Sequence, residues 1–516
     1  MVTVVDAAPT GRLAELTVAL SLATDLGTGQ PMEHGLRTCW LSVAIADALG
    51  VTPQDQSCVY YVALLRFIGC TSNASETAAL AGGDDIGFNA MMAPVLGASP
   101  GEAMRFLARH LGEDLPAGRR FGLVARALAD PGGQQRSLSE HCEAAARLGT
   151  HLGLGDDVRL ALGHAYERWD GKGYPAGLAG EETPLAVRVV SAARDAELWS
   201  REGWATAAVM LDRRRGRAHD PAVVDALLTD GERWLAEIGD DPCSAVLDAE
   251  PAPVHMIDDL DQALTALAHF TDLKSRYFRG HSTGVARLAA DAARCAGLAE
   301  TDADALGRAA LVHDVGRVGV PSGIWDRTRP LSGSDWERVR LHPYLTERVL
   351  DRCGPLKPFV QVAVHHHERV DGSGYHRGVS GDQLTQPARL LAAADAFHAM
   401  GEERAHRPAL TAEDAAGCLL DDVDGGRFAR ADVDAVLGAA GQLPRLPNVP
   451  RPAGLTEREV DVLRLIARGH VNKQVAAELG ISPKTVGHHV EHIYAKAGVS
   501  TRVGAALFAM HHDLIE

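Results

Sequence analysis

Apolar residues return every three or four positions along most of the chain. They do so in long Ala- and Leu-rich segments such as HGLRTCWLSVAIADALG from His34 and HSTGVARLAADAARCAGL from His281. That spacing gathers them on one side of a helix with 3.6 residues per turn. Alternating apolar and polar runs bounded by turn residues, the mark of half-buried strands, are nearly absent, so the pattern predicts an all-α protein. The periodicity lapses over Ile238 to Asp258, which holds Asp240-Asp241-Pro242 and Pro251-Ala252-Pro253, and over Gly441 to Gly454, which holds four prolines. Such stretches favour linkers, and they divide the chain into domains at 1–240, 258–440 and 455–516, joined by 241–257 and 441–454.

The first two domains are copies of one unit. ALSLATDL at Ala19 to Leu26 returns as ALAHFTDL at Ala266 to Leu273, an offset of 247 that also relates His34 to His281 and Gly69 to Gly316. Further on the offset is 201, relating the stretch Glu167 to Pro175 (ERWDGKGYP) to Glu368 to His376 (ERVDGSGYH). An insertion of about 46 residues in the first copy accounts for the change, and the Gly- and Ala-rich stretch near Ala78 to Ala103 is its expected place.

Composition narrows the class. With 46% apolar and 23% charged residues the chain reads as globular, and no run is apolar enough to predict a membrane span or signal peptide, so a cytoplasmic location is expected. The eight cysteines lack any CxxC or zinc-finger spacing and are expected as reduced, mostly buried thiols. The net charge of -17 argues against polyanion binding by the whole molecule. Residues 451–516, however, carry eight Lys or Arg, seven Asp or Glu and six His, which leaves that stretch near +1 and directs any nucleic-acid contact there.

The second copy carries the candidate chemistry: His281, His313-Asp314, His342-Pro343, His365-His366-His367-Glu368 and Asp395. Imidazole and carboxylate suit divalent Fe, Mn or Zn, and adjacent His-Asp can serve two ions if the carboxylate bridges them. Two ions roughly 4 Å apart activate water and clamp phosphoryl oxygens, which makes phosphoester hydrolysis the natural reaction. The segments HDVGRVGVP at His313, LHPYLTERVL at Leu341, HHERVDGSGYHRGV at His366 and LLAAADAFHAM at Leu390 resemble the HD-GYP family of HD phosphohydrolases. The resemblance covers about Asp259 to Leu437. It implies that His281, His313, Asp314 and Asp395 hold one metal and Asp314, His342, His366 and His367 the other. It further implies catalytic roles for Asp314 and Arg317, a substrate pocket shaped by Arg317, Gly374, Tyr375 and His376, and cyclic dinucleotides, typically cyclic di-GMP, as substrate.

Four positions depart from the family. Arg317 replaces the lysine of HD-x-x-K, keeping charge for a phosphate oxygen but offering a planar fork that does not give up a proton. His376 replaces the proline of Gly-Tyr-Pro, Gly284 stands in place of an arginine, and Tyr277 stands where some members have a glutamate ligand, which favours two metals over three. His365 is left over as a helix-face histidine. In the first copy Arg66-Phe67 faces His313-Asp314 and Ala165-Tyr166 faces His366-His367, so the bridging carboxylate is gone. His34, His141 and Asp195, the last one residue out of register, remain as relics. That copy is expected to be non-catalytic, either a packing and dimerisation platform or a site where Asp170 to Pro175 and Arg66 still meet a nucleotide.

In the last stretch, Thr456 with Glu459 forms a capping-box signature, a short amphipathic helix ends at Gly469, and Ile481-Ser482-Pro483 turns into a second helix to Lys496. LTEREVDVLRLIARG, NKQVAAELGIS and KTVGHHVEHIYAKAGVSTR resemble the LuxR-type helix-turn-helix, which implies four helices with the recognition helix at about Pro483 to Lys496. By that analogy Lys473, Lys484 and Thr485 meet phosphates, Val486, His488 and His489 lie near base edges, and Ser482 belongs to the same DNA-binding set, while Gly487 replaces a basic residue. The chain is therefore expected to be a homodimeric regulator of promoter DNA that binds and hydrolyses a cyclic dinucleotide. The alternatives are a ligand sensor without turnover and a phosphohydrolase of another nucleotide or phosphoester.

Overall fold

The computed structural model describes residues 11–96, 98, 100–111, 118, 120–122, 132–442, 452–512 and 514–515. Residues 443–451 of the expected second linker lie outside these. Among the described residues there are helices and isolated β-bridges but no strands, and no helix is long and apolar enough to cross a membrane.

The two copies repeat the same order of helices. Leu13–Thr28, His34–Ala48, Pro53–Leu65, Gly133–His151, Asp156–Gly163 and Leu185–Ser200 in the first correspond to Leu260–Asp272, His281–Cys295, Glu300–Val312, His342–Leu350, Lys357–Ala363 and Gln386–Met400 in the second. The offset changes between Thr71 and Gly133. The first copy spends that stretch on the helices Ala74–Leu80, Asp85–Met92 and Pro100–His110. Within 241–257, Pro242–Asp248 is itself a helix, capped by the Asp241 carboxylate accepting from Ser244 N. Its Cys243 and Val246 are buried, and Tyr60 Oη donates to the Val246 carbonyl at 3.0 Å, so the segment is tied into the first copy's core.

The copies share apolar surface. One cluster unites Leu16, Leu20 and Leu65 of the first with Val312, Val315, Val318 and Leu350 of the second, while Val285, Leu288, Leu391 and Val436 form a separate core. A buried ion pair crosses the seam: Lys274 Nζ lies 2.6 Å from the Asp85 carboxylate, each side chain 1% exposed. The other Asp85 oxygen accepts from Ser322 N. Six of the eight cysteines are buried, Cys295 and Cys418 are exposed, and none forms a disulfide.

The tail is a four-helix unit, Glu457–Ala467, Asn472–Leu479, Pro483–Ala497 and Arg502–His511. Thr456 and Glu459 close the capping box, Thr456 Oγ1 accepting from Glu459 N and Glu459 accepting from Thr456 N. Its last helix is apolar on every side and buried from Val503 to Met510, because it packs on its own unit and on Gly133–His151 of the first copy. Polar contacts complete the junction: Glu143 accepts from Ser500 N and Oγ, Arg147 donates to the Gly498 carbonyl, and Arg279 donates to the Ala467 carbonyl. The His511 ring stacks on His151 at 4.2 Å between centroids.

Candidate metal centre

The turn after Glu300–Val312 fixes the site. There is no room for a side chain at Gly316, where a Cβ would stand 2.0 Å from the His342 carbonyl oxygen. Gly316 N donates to Thr346 Oγ1 at 2.9 Å, and that hydroxyl donates to the His313 carbonyl at 3.1 Å. The His313-Asp314 turn is thereby locked against the helix that starts at His342. Gly69 makes the equivalent approach to the His141 carbonyl in the first copy.

Around Asp314 the described residues gather two groups whose potential ligand atoms all lie within 4.8 Å of one another: His281, His313, Asp314 and Asp395, and Asp314, His342, His366 and His367. These are the seven positions expected from the sequence. Asp314 stands at the junction. Its Oδ2 is 2.9 Å from His313 Nε2 and 3.4 Å from His281 Nε2, and its Oδ1 is 3.4 Å from His342 Nε2 and 3.3 Å from His366 Nε2. Asp395 Oδ1 lies 3.1 Å from His281 Nε2, and its Oδ2 3.8 Å from His367 Nδ1. His365 is outside both groups.

The hydrogen bonds behind the rings fix their tautomers. Nδ1–H of His313, His342 and His366 donates to the carbonyls of Ala310, Val339 and Ala363, and that of His281 to the Glu402 carboxylate at 2.9 Å. In its neutral form each ring therefore presents an Nε2 lone pair to the centre, and Nε2 of His342 and that of His366 face each other at 3.1 Å. Two facing lone pairs are repulsive unless a proton or cation lies between them. Both Asp314 oxygens, Asp395 Oδ1, and Nε2 of His281 and His313 are buried without a hydrogen-bond partner. Orphaned acceptors in this number fit divalent cations held by nitrogen and oxygen.

Electrostatics set the protonation of the two groups differently. Burial alone would raise the Asp314 carboxyl, but Arg317, His313 and His281 hold it well below the usual carboxylate range. Asp395 is likewise held low, burial being outweighed by the neighbouring His281, His313 and His367 rings. Burial brings His366 down to about 4 and His367 well below its ordinary value. Burial would lower His281 and His313 too, but Glu402 and the Asp314 and Asp395 carboxylates raise His281 well above its ordinary value and His313 to about 9; because ionised carboxylates and neutral imidazoles are the forms that bind metal, metal binding releases those two protons.

The departures acquire physical reasons. Arg317 is buried, with Nη1 2.6 Å from Asp314 Oδ2 and its guanidinium carbon 4.6 Å from the Phe278 ring centroid, so it braces the bridging carboxylate. Gly284 makes room for His398, whose Nε2 would lie 1.9 Å from a Cβ there. Tyr375 stacks on His367 at 4.7 Å, and His376 lies beside Tyr344. Gly374 is required by packing, because a Cβ would meet the Glu368 and Arg369 backbone at 2.4 to 2.5 Å. Glu368, given no role from the sequence, holds this loop by accepting from Arg377 N and Gly378 N; Glu167 does the same for Ala176 to Leu178 in the first copy. Glu402 was also missed. It orients His281 and pairs with Arg404 at 2.6 Å, and its spacing from Asp395 and His398, seven and four residues along a helical repeat, was the available signal.

In the tail, Lys473, Ser482, Lys484, Thr485 and His488 are exposed and His489 is half-buried. The Ser482 hydroxyl accepts from Thr485 N and so caps the helix Pro483–Ala497. Val486 requires a correction: it is 0% exposed within the tail core, and a side chain without accessible surface cannot reach a base edge.

Comparison with known proteins accords with this geometry. Residues 134–223 and 261–429, half of the chain, match the family described as HD domain, and residues 453–509 match bacterial regulatory proteins, luxR family. A protein of Vibrio cholerae named 3'3'-cGAMP-specific phosphodiesterase 3 is 30% identical over 80% of this chain and 91% of its own length. The Xanthomonas campestris cyclic di-GMP phosphodiesterase response regulator RpfG is 33% identical over 29% of this chain and 40% of its own. A crystal structure of a cyclic GMP-AMP specific phosphodiesterase of Vibrio cholerae superposes with a TM-score of 0.59 at 26% identity, covering 84% of this chain and 99% of that one.

Proposed function

The chain belongs to the HD-domain family and carries a LuxR-type DNA-binding tail, and from that premise we propose that its second copy is a metal-dependent cyclic dinucleotide phosphodiesterase coupled to promoter binding. The observation that carries the reading is the Asp314 carboxylate, buried among four imidazole Nε2 atoms with neither oxygen hydrogen-bonded. Two divalent ions, Fe or Mn, held by His281, His313, Asp314 and Asp395 and by Asp314, His342, His366 and His367, would supply Lewis-acid charge for phosphoester hydrolysis. The chain's own residues do the rest. Glu402 and the backbone carbonyls aim the rings, Arg317 holds Asp314, and Glu368 sets the loop that carries Tyr375 and His376 at the mouth. Similarity to enzymes named for 3'3'-cGAMP and for cyclic di-GMP supports the substrate class.

Lys473, Lys484 and Thr485 lie on exposed parts of the tail while it is docked, which supports phosphate contacts from this arrangement. A homodimer, the form in which a helix-turn-helix reads paired half-sites, and a cytoplasmic location, which promoter DNA as partner supports, belong to the same reading. Ligand sensing without turnover is the second reading. Its support is Arg317, which is engaged with Asp314 and offers no proton to a leaving group. Metal analysis followed by incubation with 3'3'-cGAMP and cyclic di-GMP in Mn(II) or Fe(II) separates the two. About two ions per chain and linear products that vanish in Asp314→Ala support the enzyme. Metal and bound nucleotide without product support the sensor, and absence of metal binding refutes both.

A further inference from the structure

The place in the first copy that corresponds to the metal centre is built of cations. By the repeat offsets, Arg66 stands where the second copy has His313 and Arg194 where it has Asp395. Both are buried, at 8% and 3% exposure, and Nε of each has no hydrogen-bond partner among the described residues. Arg66 donates to Ser191 Oγ at 2.8 Å and pairs with no carboxylate among the described residues. Arg194, Arg214 and His219 converge on the single carboxylate of Asp195. At the mouth stand Lys172 and the Arg168–Asp170 pair, while the Glu167 carboxylate is committed to loop amides.

Four cationic side chains (Arg66, Arg168, Lys172 and Arg194) thus meet two carboxylates (Glu167 and Asp195) around a cavity of about 70 Å³, and behind the lining Asp170 pairs with Arg168 and Arg214 with Asp195. Uncompensated buried charge is costly and is relieved by a counterion. Burial pulls Arg66 down to about 10, which leaves it charged at neutral pH. The space suits a tetrahedral oxyanion and is far below the roughly 300 to 1,000 Å³ of a pocket that swallows a drug-sized ligand. Guanidinium forks match phosphate geometry.

We propose that the first copy is a phosphoryl-anion site, in which Arg66 and Arg194 supply as fixed side chains the positive charge that metals supply in the second. The ligand is inorganic phosphate or the terminal phosphate of a nucleotide whose remainder lies over Lys172 and Tyr174. The site does not depend on turnover at the second copy, so failure of either reading leaves the other standing.

The test is calorimetric titration of the full-length chain, stripped of metal by chelator, with inorganic phosphate, guanosine 5'-monophosphate and guanosine. The expected result is one saturable site per chain for phosphate, with affinity falling at least about tenfold in Arg66→Gln, a loss of about 1.4 kcal/mol. Lys172→Glu, a reversal at a solvent-facing position that does not threaten folding, should weaken it as well. Tighter binding of the monophosphate than of phosphate, with guanosine silent, assigns the nucleotide; equal binding assigns inorganic phosphate; both support the site. No saturable binding up to about 10 mM phosphate, guanosine binding as well as its monophosphate, or unchanged affinity in Arg66→Gln (in Lys172→Glu if the first variant does not fold) overturns it.

Discussion

Glu402→Gln isolates what the residues behind the ligands contribute. The Glu402 carboxylate accepts from His281 Nδ1–H at 2.9 Å, pairs with Arg404 at 2.6 Å and stands 3.5 Å from His398 Nδ1. Glutamine keeps the shape and an acceptor but removes the charge that makes His281 a better donor to metal through Nε2. Loss of such a partner weakens metal binding by roughly 10- to 100-fold. Arg404 is half-buried and loses its counter-charge, so the metal-free protein is destabilised too, and melting temperature alone does not discriminate. The metal-dependent increment does. At a free metal concentration about 100 times the wild-type Kd, metal adds about 2.7 kcal/mol of stability; a tenfold weaker site gives about 1.4 and a hundredfold weaker site about 0.4. Denaturant unfolding with and without buffered Mn(II) reads this increment directly. A full wild-type increment in Glu402→Gln would refute the claim that Glu402 tunes His281.

Other outcomes follow from the same geometry. Lys274→Met leaves Asp85 charged and buried at the seam between the copies and should cost about 3–5 kcal/mol in chemical denaturation; a loss under about 1 kcal/mol would mean the pair is solvated. His269 is fully buried with neither ring nitrogen partnered among the described residues, and burial holds it well below its ordinary value; burial likewise brings the neighbouring His151 down to about 4. Because the unfolded chain takes up these protons and the folded one does not, stability is present above about pH 6.5 and is lost as pH falls below it, by up to about 1.4 kcal/mol per pH unit for each ring. Melting curves of His269→Leu between pH 7 and 5 should show a shallower decline than wild type, and parallel curves would contradict the assignment. Lys484→Ala should weaken DNA binding at all sequences and lower the slope of log K against log salt by about 0.9, whereas an unchanged slope would remove Lys484 from the phosphate contacts. Gly284→Ala, which sets a methyl against His398, should cost about 1–3 kcal/mol in thermal unfolding, with wild-type stability showing that His398 can swing aside.

Much of this was written locally. The 3.6-residue spacing determined an all-α fold, because a helix satisfies its backbone within itself and asks of the sequence only one apolar face. The offsets of 247 and 201 exposed the duplication, and Arg66-Phe67 opposite His313-Asp314 showed which copy had kept its acidic bridge. The capping box at Thr456 and Glu459 marked the start of the tail for the same reason: its hydrogen bonds span three residues.

What depended on distant segments meeting was decided only by tertiary structure. Glu402 became a partner of His281 across 121 residues, and Gly284 became explicable once His398 was seen to fill the space beside it. The segment 241–257 was read as a linker from its prolines, yet Pro242–Asp248 is a helix because Tyr60 and the core around Val246 await it. Val486 sits on a helix whose exposed and buried sides depend on how three other helices close over it, and periodicity could not say which side faces DNA. The cationic cavity of the first copy belongs to the same class. Its charged residues come from separate stretches, and only folding shows that Arg194, Arg214 and His219 converge on the single carboxylate of Asp195 beside Arg66.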